Sequence, residues 1–275
     1  MKFGSRPETA ATRTFDGPQG TPVPVNEPRG TVELMGIRVD RIDVPGLLDR
    51  IAELVASGRP ALINNVNIRA CNLAWEQPEF RHILNESDVV FCDGYGVKWG
   101  AALVGKRLGQ RMTPPDWVDE LFARGVERDW TFFFVGDEPD VVETFARAAA
   151  ERHPGLKIAG THHGFFEFGG AEESALFERL RRFRPQIVIT GMGMPRQEYW
   201  AERARRVVGA GVYIAAGALF RWYTGIERRA PRWMSDHGLE WLHRLITRPA
   251  RNFRRYVIGI PLFYARLFCL RKPRA

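Results

Sequence analysis

Five short apolar runs, each ending in asparagine, aspartate or glycine, most strongly limit what this 275-residue chain can fold into. The runs cover residues 61–63, 89–92, 132–135, 187–189 and 212–214. A helical pattern follows each of them, so the chain consists of repeated strand–loop–helix units. Near-continuous apolar strands that alternate with helices are typical of a parallel sheet covered on both faces. The sequence therefore predicts an α/β fold with a Rossmann-like, mostly parallel sheet.

Composition divides the chain into three parts. Residues 1–30 are rich in proline, threonine, glycine and charge, which predicts a disordered segment without a signal peptide, and hence a cytoplasmic protein. Residues 31–227 hold the predicted sheet, preceded by a small hairpin that turns at Met35-Gly36. Residues 228–275 form the C-terminal part. The three cysteines are too far apart for a zinc knuckle and are expected to be buried and reduced.

The C-terminal part carries the net charge of the chain. Its eleven arginines and one lysine oppose one aspartate and one glutamate, a formal +10, whereas the whole chain carries +8. Apolar residues recur with a helical period beside Arg244, Arg248, Arg251 and Arg255. A basic amphipathic appendage of this kind favours an anionic membrane surface, and its apolar tail is shorter than the roughly 20 residues that span a bilayer.

Two other interpretations of this part remain open. A helix pair that packs on the core and exposes its arginines explains the pattern equally well. Nucleic acid is disfavoured as a partner, because leucine, isoleucine and phenylalanine exceed what phosphate contacts require.

Ligands of parallel sheets bind outside the carboxyl ends of the strands, so the loops after the five runs are the expected site. Asp93 ends a buried run, and Gly94 lets other backbone approach it closely. A carboxylate in this position suits a general base whose pKa is raised by apolar surroundings. An Asp-Gly turn that only caps the next helix explains the same pattern.

The turn at residues 191–198 lacks the third glycine of a dinucleotide fingerprint, which disfavours NAD and a dehydrogenase. The helix that begins there could receive a diphosphate, with Gln197 supplying hydrogen bonds, although a plain helix start explains the turn too. Neighbouring residues such as His162 and His163 are expected to point apart, and no third ligand has a helpful spacing. We therefore expect no metal and no cofactor, with arginines neutralising any phosphates.

Eight segments, taken in order, resemble the WecG/TagA/CpsF glycosyltransferases, glycosyltransferase family 26. The match runs from about residue 32 to about residue 263. The segments are Asn65-Val66-Asn67, residues 88–94, Arg111 with Asp116, and residues 134–136, 153–156, 193–198, 229–233 and 238–245.

The resemblance implies a metal-independent, inverting glycosyltransferase. Such an enzyme moves a hexose, an N-acetylhexosamine or its uronate from a UDP-sugar to a polyprenyl-diphosphate-linked saccharide, in exopolysaccharide or wall-polymer synthesis. It implies a peripheral position on the inner face of the cell membrane and allows a homo-oligomer. The alternative is a non-catalytic protein at the membrane that binds nucleotide sugars or assists assembly.

The resemblance also implies a set of site residues. Asp93 is the expected base, Asn65 and Asn67 are expected beside it, and Arg244, Arg251 and Arg254 are expected to close over the diphosphate. The remaining expected substrate-binding residues are Arg111, Asp116, Gly136, Gly193, Gln197, Arg221 and Arg229.

Two positions depart from the family pattern. Asn65 stands where the family commonly has threonine, and Arg221 stands where it usually has aspartate. The second departure reverses a charge, and it suggests the hypothesis that Arg221 pairs with an acidic donor sugar or an added phosphate.

Overall fold

The computed structural model describes residues 30–270 and places a six-stranded parallel sheet at the centre of the chain. The expected disorder of residues 1–30 thus falls almost entirely outside the described residues. The strands are β3 (Ala61–Val66), β4 (Val89–Cys92), β5 (Thr131–Gly136), β6 (Lys157–His162), β7 (Ile187–Gly191) and β8 (Val212–Ala215). Their order in the sheet is β4-β3-β8-β7-β5-β6, and every neighbouring pair is parallel. The predicted α/β fold is confirmed.

The predicted hairpin is also present. Strands β1 (Thr31–Leu34) and β2 (Ile37–Asp40) pair antiparallel, and the turn between them places Met35 and Gly36 at φ values of 53° and 78°. Positive φ at both central residues matches the right-handed twist of the strands. Leu34 and Ile37 are fully buried, so the hairpin is attached to the core.

Strand β6 was not predicted, because it lies at the edge of the sheet and contains no apolar run. Five of its six residues are half-buried and Lys157 is exposed. The sequence of an edge strand need not be apolar on both faces, and β6 pairs only with β5, through a register shift at Phe132/Phe133.

Alternate residues of the strands enter two separate apolar layers, as a covered parallel sheet requires. Phe132 and Phe134 pack with helices α1 (Val44–Ser57), α5 (Pro114–Glu127), α6 (Pro139–Arg152) and α9 (Leu219–Tyr223). Phe133 and Val135 face the other side. The helices on that side are α2 (Ile68–Glu76), α3 (Pro78–Asn85), α4 (Tyr95–Leu103), α7 (Ala171–Phe183) and α8 (Arg196–Val208).

Short helices follow the sheet and return along α2 and α4. These C-terminal helices are α10 (Arg232–Asp236), α11 (Glu240–Thr247), α12 (Pro249–Phe253), a π-helical turn (Arg254–Ile258) and α13 (Gly259–Cys269). Phe263 and Leu267 are buried, and Phe263 lies directly over Gly100, where an added Cβ would meet its ring at 2.5 Å. Among the described residues, no helix is long and apolar enough to cross a membrane.

Cys71 and Cys92 are buried as expected, but Cys269 is exposed at the last turn of α13, so that part of the expectation was wrong.

Candidate active site

A cavity of about 1000 Å³ lies between the carboxyl ends of the sheet strands and the C-terminal helices. Its floor is formed by residues that follow β3, β4, β7 and β8, which is where ligands of a parallel sheet are expected. Its roof is formed by α11, the π-helical turn and the start of α13. The expected site residues that line it are Asn65, Asn67, Asp93, Arg111, Gly193, Gln197 and Arg244.

Asp93 is held at the floor by the end of β3. Its backbone N–H donates to the carbonyl of Val66 at 2.8 Å, and its Oδ2 accepts a hydrogen bond from Asn67 Nδ2 at 3.2 Å. The other end of the same amide, Asn67 Oδ1, accepts from the backbone N–H of Ala70 at 3.1 Å and thereby caps α2. Helix α4 begins after Gly94, and the Asp93 carboxylate bonds to Asn67 rather than to the start of that helix.

The surroundings of Asp93 favour proton uptake. Burial raises the pKa of Asp93 above the ordinary carboxyl value, and the charge of Glu240 raises it further. Hydrogen bonds from Asn67 and Thr113 and the charge of Arg244 oppose this rise in pKa. A carboxylate with a raised pKa at the wall of a cavity is suited to accept a proton from a substrate hydroxyl.

Asn65 lines the cavity beside Asp93 and is 4% exposed. Its Nδ2 donates to the carbonyl of Ala215 at 3.0 Å, which joins the ends of β3 and β8. The Asn65 amide therefore contributes a contact between two strands as well as a polar surface in the cavity.

Arg111 is held in the cavity lining by an ion pair with Asp116, which lies outside the lining. Its guanidinium contacts Thr113 Oγ1 at 2.7 Å and Asp116 Oδ2 at 3.1 Å, and it lies 5.2 Å from the ring centre of Tyr95. Asp116 also accepts from Arg229 at 2.9 Å. Asp116 and Arg229 lie outside the cavity lining, so the structure places them as supports of Arg111.

Gln197 joins the ends of two strands. Its Oε1 accepts from the backbone N–H groups of Gly193 at 3.2 Å and Gly217 at 3.1 Å, while its Nε2 donates to Glu198 Oε1 at 2.9 Å. Burial raises the pKa of Glu198 to about 7. Among the described residues, Glu198 Oε2 has no hydrogen-bond partner. Gly217, the partner of Gln197 after β8, was not among the expected site residues.

The C-terminal helices bring two arginines to the cavity. Arg244 is ion-paired with Glu240 at 2.5 Å and lies 4.2 Å from the ring centre of Trp222. Arg255 lines the cavity next to Tyr256 and interacts electrostatically with Asp93, as Arg244 does. The spacing of Glu240 and Arg244, four residues apart on a helix, is the sequence signal that could have identified this pair.

The structure does not bring all three expected appendage arginines together. Arg254 is exposed and lies outside the cavity lining, and its neighbour Arg255 occupies the cavity wall. The side chain of Arg251 lies outside the part of the chain that the structure describes. Arg255 belongs to the helical period of the sequence, whereas Arg254 was expected from the resemblance alone.

Arg221 and Gly136 also lie outside the cavity lining. Arg221 forms a bidentate ion pair with Asp137, at 2.8 Å and 2.5 Å, and contacts Glu138 at 2.9 Å. Its charge is therefore balanced by this chain's own carboxylates. Gly136, at φ 143°, lies so close to β7 that an added Cβ would be 2.4 Å from the carbonyl carbon of Gly191.

The expectation that His162 and His163 point apart was wrong. Their ring centres are 4.6 Å apart, and both rings approach Glu172 in the first turn of α7. The three side chains place potential ligand atoms within 4.8 Å of one another.

Comparison with known proteins identifies the family. The model of the Glycosyl transferase WecG/TagA/CpsF family matches residues 32–275. A relative from Bacillus subtilis (strain 168) is 28% identical over 203 residues, which cover 74% of this chain and 77% of the relative. A second, from Bacillus spizizenii (strain ATCC 23059 / NRRL B-14472 / W23), is 27% identical over 190 residues, covering 69% and 72%. Both are named N-acetylglucosaminyldiphosphoundecaprenol N-acetyl-beta-D-mannosaminyltransferase. This chain belongs to the WecG/TagA/CpsF family of glycosyltransferases.

Proposed function

We propose that this protein transfers a hexose, an N-acetylhexosamine or its uronate from a UDP-sugar to a polyprenyl-diphosphate-linked saccharide, with inversion at the anomeric carbon. The polymer made is an exopolysaccharide or a wall polymer. One observation carries the proposal: a buried carboxylate, Asp93, shares a cavity with Arg244 and Arg255 from the C-terminal helices. The names of the two relatives, which specify a diphosphoundecaprenol acceptor, support the acceptor class.

The transfer follows from the roles these groups can take. Asp93 accepts the proton of the acceptor hydroxyl, and the acceptor oxygen then forms a bond to the anomeric carbon from the side opposite the leaving group. The bond between the sugar and UDP breaks, and the electron pair leaves with the UDP oxygen. Arg244 and Arg255 stabilise the negative charge that develops there.

The donor diphosphate is proposed to lie between these arginines and the start of α8. Gly193, Met194 and Arg196 line the cavity where this helix begins. The first N–H groups of a helix and its dipole favour phosphate groups. The proposal assigns charge neutralisation to arginine side chains, so the transfer step requires no divalent cation.

We further propose that the C-terminal helices rest on the inner face of the cell membrane. Several of their apolar side chains are exposed, with Ile246 at 70%, Phe253 at 54% and Ile258 at 50%. The exposed Arg254 lies between the last two along the chain. Apolar side chains mixed with cations fit the interface of an anionic bilayer, where the lipid-linked acceptor is found.

The test is a screen of UDP-sugars against polyprenyl-diphosphate N-acetylglucosamine and other polyprenyl-diphosphate monosaccharides, in the presence of a metal chelator. We expect one donor–acceptor pair to give a product with one added sugar, detected by mass spectrometry, together with one equivalent of UDP. The anomeric coupling in the product should show inversion. Binding of UDP-sugars without transfer to any acceptor would support the non-catalytic alternative and refute this proposal.

A further inference from the structure

We propose that His162, His163 and Glu172 bind one transition-metal ion, with zinc as the best-suited metal, at the edge of the sheet opposite Asp93. The site joins the end of β6 to the first turn of α7. It is independent of the transfer mechanism proposed above, which uses no metal in the cavity.

The distances between the three side chains suit a zinc ion. Glu172 Oε1 lies 3.5 Å from His162 Nε2 and 3.0 Å from His163 Nε2. Tetrahedral zinc with bonds of about 2.0–2.2 Å to nitrogen and oxygen separates neighbouring ligand atoms by about 3.4 Å. The two carboxylate–imidazole distances lie on either side of this value, and all three ligand atoms lie within 4.8 Å of one another, so movement of the side chains can bring them into coordination range.

The tautomer of His162 directs a lone pair at the carboxylate. His162 Nδ1 lies 2.8 Å from the backbone carbonyl oxygen of His163, which can only accept, so Nδ1 carries the proton. In the neutral ring, Nε2 is then an acceptor that faces another acceptor, Glu172 Oε1, at 3.5 Å. A cation between them satisfies both atoms. A carbonyl that fixes the tautomer of a ligating histidine is a common feature of metal sites.

His163 requires one change to act as the third ligand. Its Nδ1 accepts from the backbone N–H of Phe165 at 3.2 Å, which places the proton on Nε2, toward Glu172. Metal binding moves this proton to Nδ1 and turns the ring away from the Phe165 N–H. The side chain is 30% exposed, so the ring has room to turn.

The ligand types and the exposure indicate which metal fits. Two imidazole nitrogens and one carboxylate oxygen suit zinc, cobalt or nickel, whereas magnesium and calcium prefer oxygen ligands alone. Glu172 is 46% exposed, so water can reach the fourth position.

The position in the sheet separates this site from the transfer reaction. Strands β4 and β6 are the two edges of six strands, and five strand spacings amount to about 24 Å. We expect the metal to fix the loop after β6 rather than to take part in the transfer reaction. In that loop Gly164 donates its N–H to the carbonyl of Asp137 at 2.9 Å and packs against Met192, which lines the cavity.

The experiment uses full-length protein without an affinity tag. Cobalt(II) is titrated in, its visible absorption is followed, and bound cobalt is then displaced with zinc(II). We expect one cobalt per chain with the spectrum of a low-coordinate site, displacement by one equivalent of zinc, and a higher Tm with zinc. His162→Ala and Glu172→Gln should each weaken binding at least tenfold and abolish the Tm increase.

His82→Ala is the matched control, because His82 is an exposed histidine of α3 away from the cluster, and it should bind cobalt as the unaltered protein does. Circular dichroism of the metal-free variants checks folding. Asp93→Asn should also bind cobalt normally, which separates this proposal from the transfer mechanism. Cobalt binding that is substoichiometric, or as tight in His162→Ala as in the unaltered protein, would overturn the metal site.

Discussion

Replacing Asp93 by asparagine removes the proposed base while preserving its shape. The amide can still accept the hydrogen bond from Asn67 Nδ2 through its oxygen, so the loop after β4 should keep its position. The side chain can no longer take up the proton of the acceptor hydroxyl. We expect the single-turnover rate of transfer to fall while UDP binding stays unchanged.

The structure sets the expected size of this loss. Positioned general-base catalysis contributes about 10²–10⁴-fold. Of the carboxylates that line the cavity in residues 30–270, only Glu240 remains after the substitution, and it is already ion-paired with Arg244. Because this remaining carboxylate is held by an arginine, we expect a loss near 10³–10⁴-fold, or about 4–5.5 kcal/mol in the activation barrier.

The assay combines rapid-quench transfer with calorimetric UDP binding. Asp49→Asn is the control, since Asp49 is an exposed carboxylate on α1 that pairs with Arg124 and lies outside the cavity lining. In the unaltered enzyme, kcat/KM should rise with pH through a pKa above the ordinary carboxyl range, because burial raises the pKa of Asp93 and only the ionised form acts as a base. A variant that keeps a tenth of the rate, or loses UDP binding to the same degree as the rate, would refute the assigned role.

Three further substitutions test the interior, the roof of the cavity and the proposed membrane-binding surface. Burial raises the pKa of Glu198 to about 7 in the folded state, whereas its pKa in the unfolded chain is about 4.5. Between these two pH values the folded state holds a proton that the unfolded chain has released. The free energy of unfolding should therefore fall by about 3 kcal/mol as pH rises from about 4.5 to about 7. Glu198→Gln should flatten that pH dependence in urea unfolding curves. Phe263→Ala should lower the free energy of unfolding by about 3–5 kcal/mol, because the ring is fully buried over Gly100. Ile258→Asp should weaken cosedimentation with anionic vesicles, because it places a negative charge on an exposed apolar site of the C-terminal helices.

Two of these substitutions have a matched control. Phe268→Ala removes a ring that is 45% exposed on the same helix as Phe263, and it should change stability by less than about 0.5 kcal/mol. Ile226→Asp alters a side chain that is 49% exposed before the C-terminal helices, and it should leave vesicle binding intact. Equal effects of the two isoleucine variants would locate the membrane contact elsewhere. An unchanged pH dependence in Glu198→Gln would assign the proton uptake to another group.

The strands that were predicted from sequence are those whose residues are buried on both faces. Residues such as Phe132 and Phe133 fill separate layers, so a continuous apolar run reports their position in the sheet. Strand β6 lacks such a run because its residues are half-buried or exposed, whereas the other edge strand, β4, is fully buried. The pattern of its sequence, with Gly160 and two histidines at its end, does not distinguish it from a loop.

The site was predictable to the extent that its residues follow strand ends. Asp93 and Gln197 lie where the parallel topology requires them, near the carboxyl ends of β4 and β7. The helical period of the sequence includes Arg255, which lines the cavity, whereas the resemblance indicated Arg254, which lies outside the lining. The ion pair of Arg221 with Asp137 joins residues 84 positions apart, a separation at which sequence periodicity carries no information.

Both ends of the Asn67 side-chain amide are hydrogen-bonded. Its Oδ1 caps α2, and its Nδ2 donates to the Asp93 carboxylate. A serine or aspartate at this position could still begin α2, but aspartate would bring a second negative charge to Asp93 and serine would be shorter than the gap the amide spans. The position of the Asp93 carboxylate is therefore coupled to the first turn of α2, and asparagine is the side chain that serves both contacts.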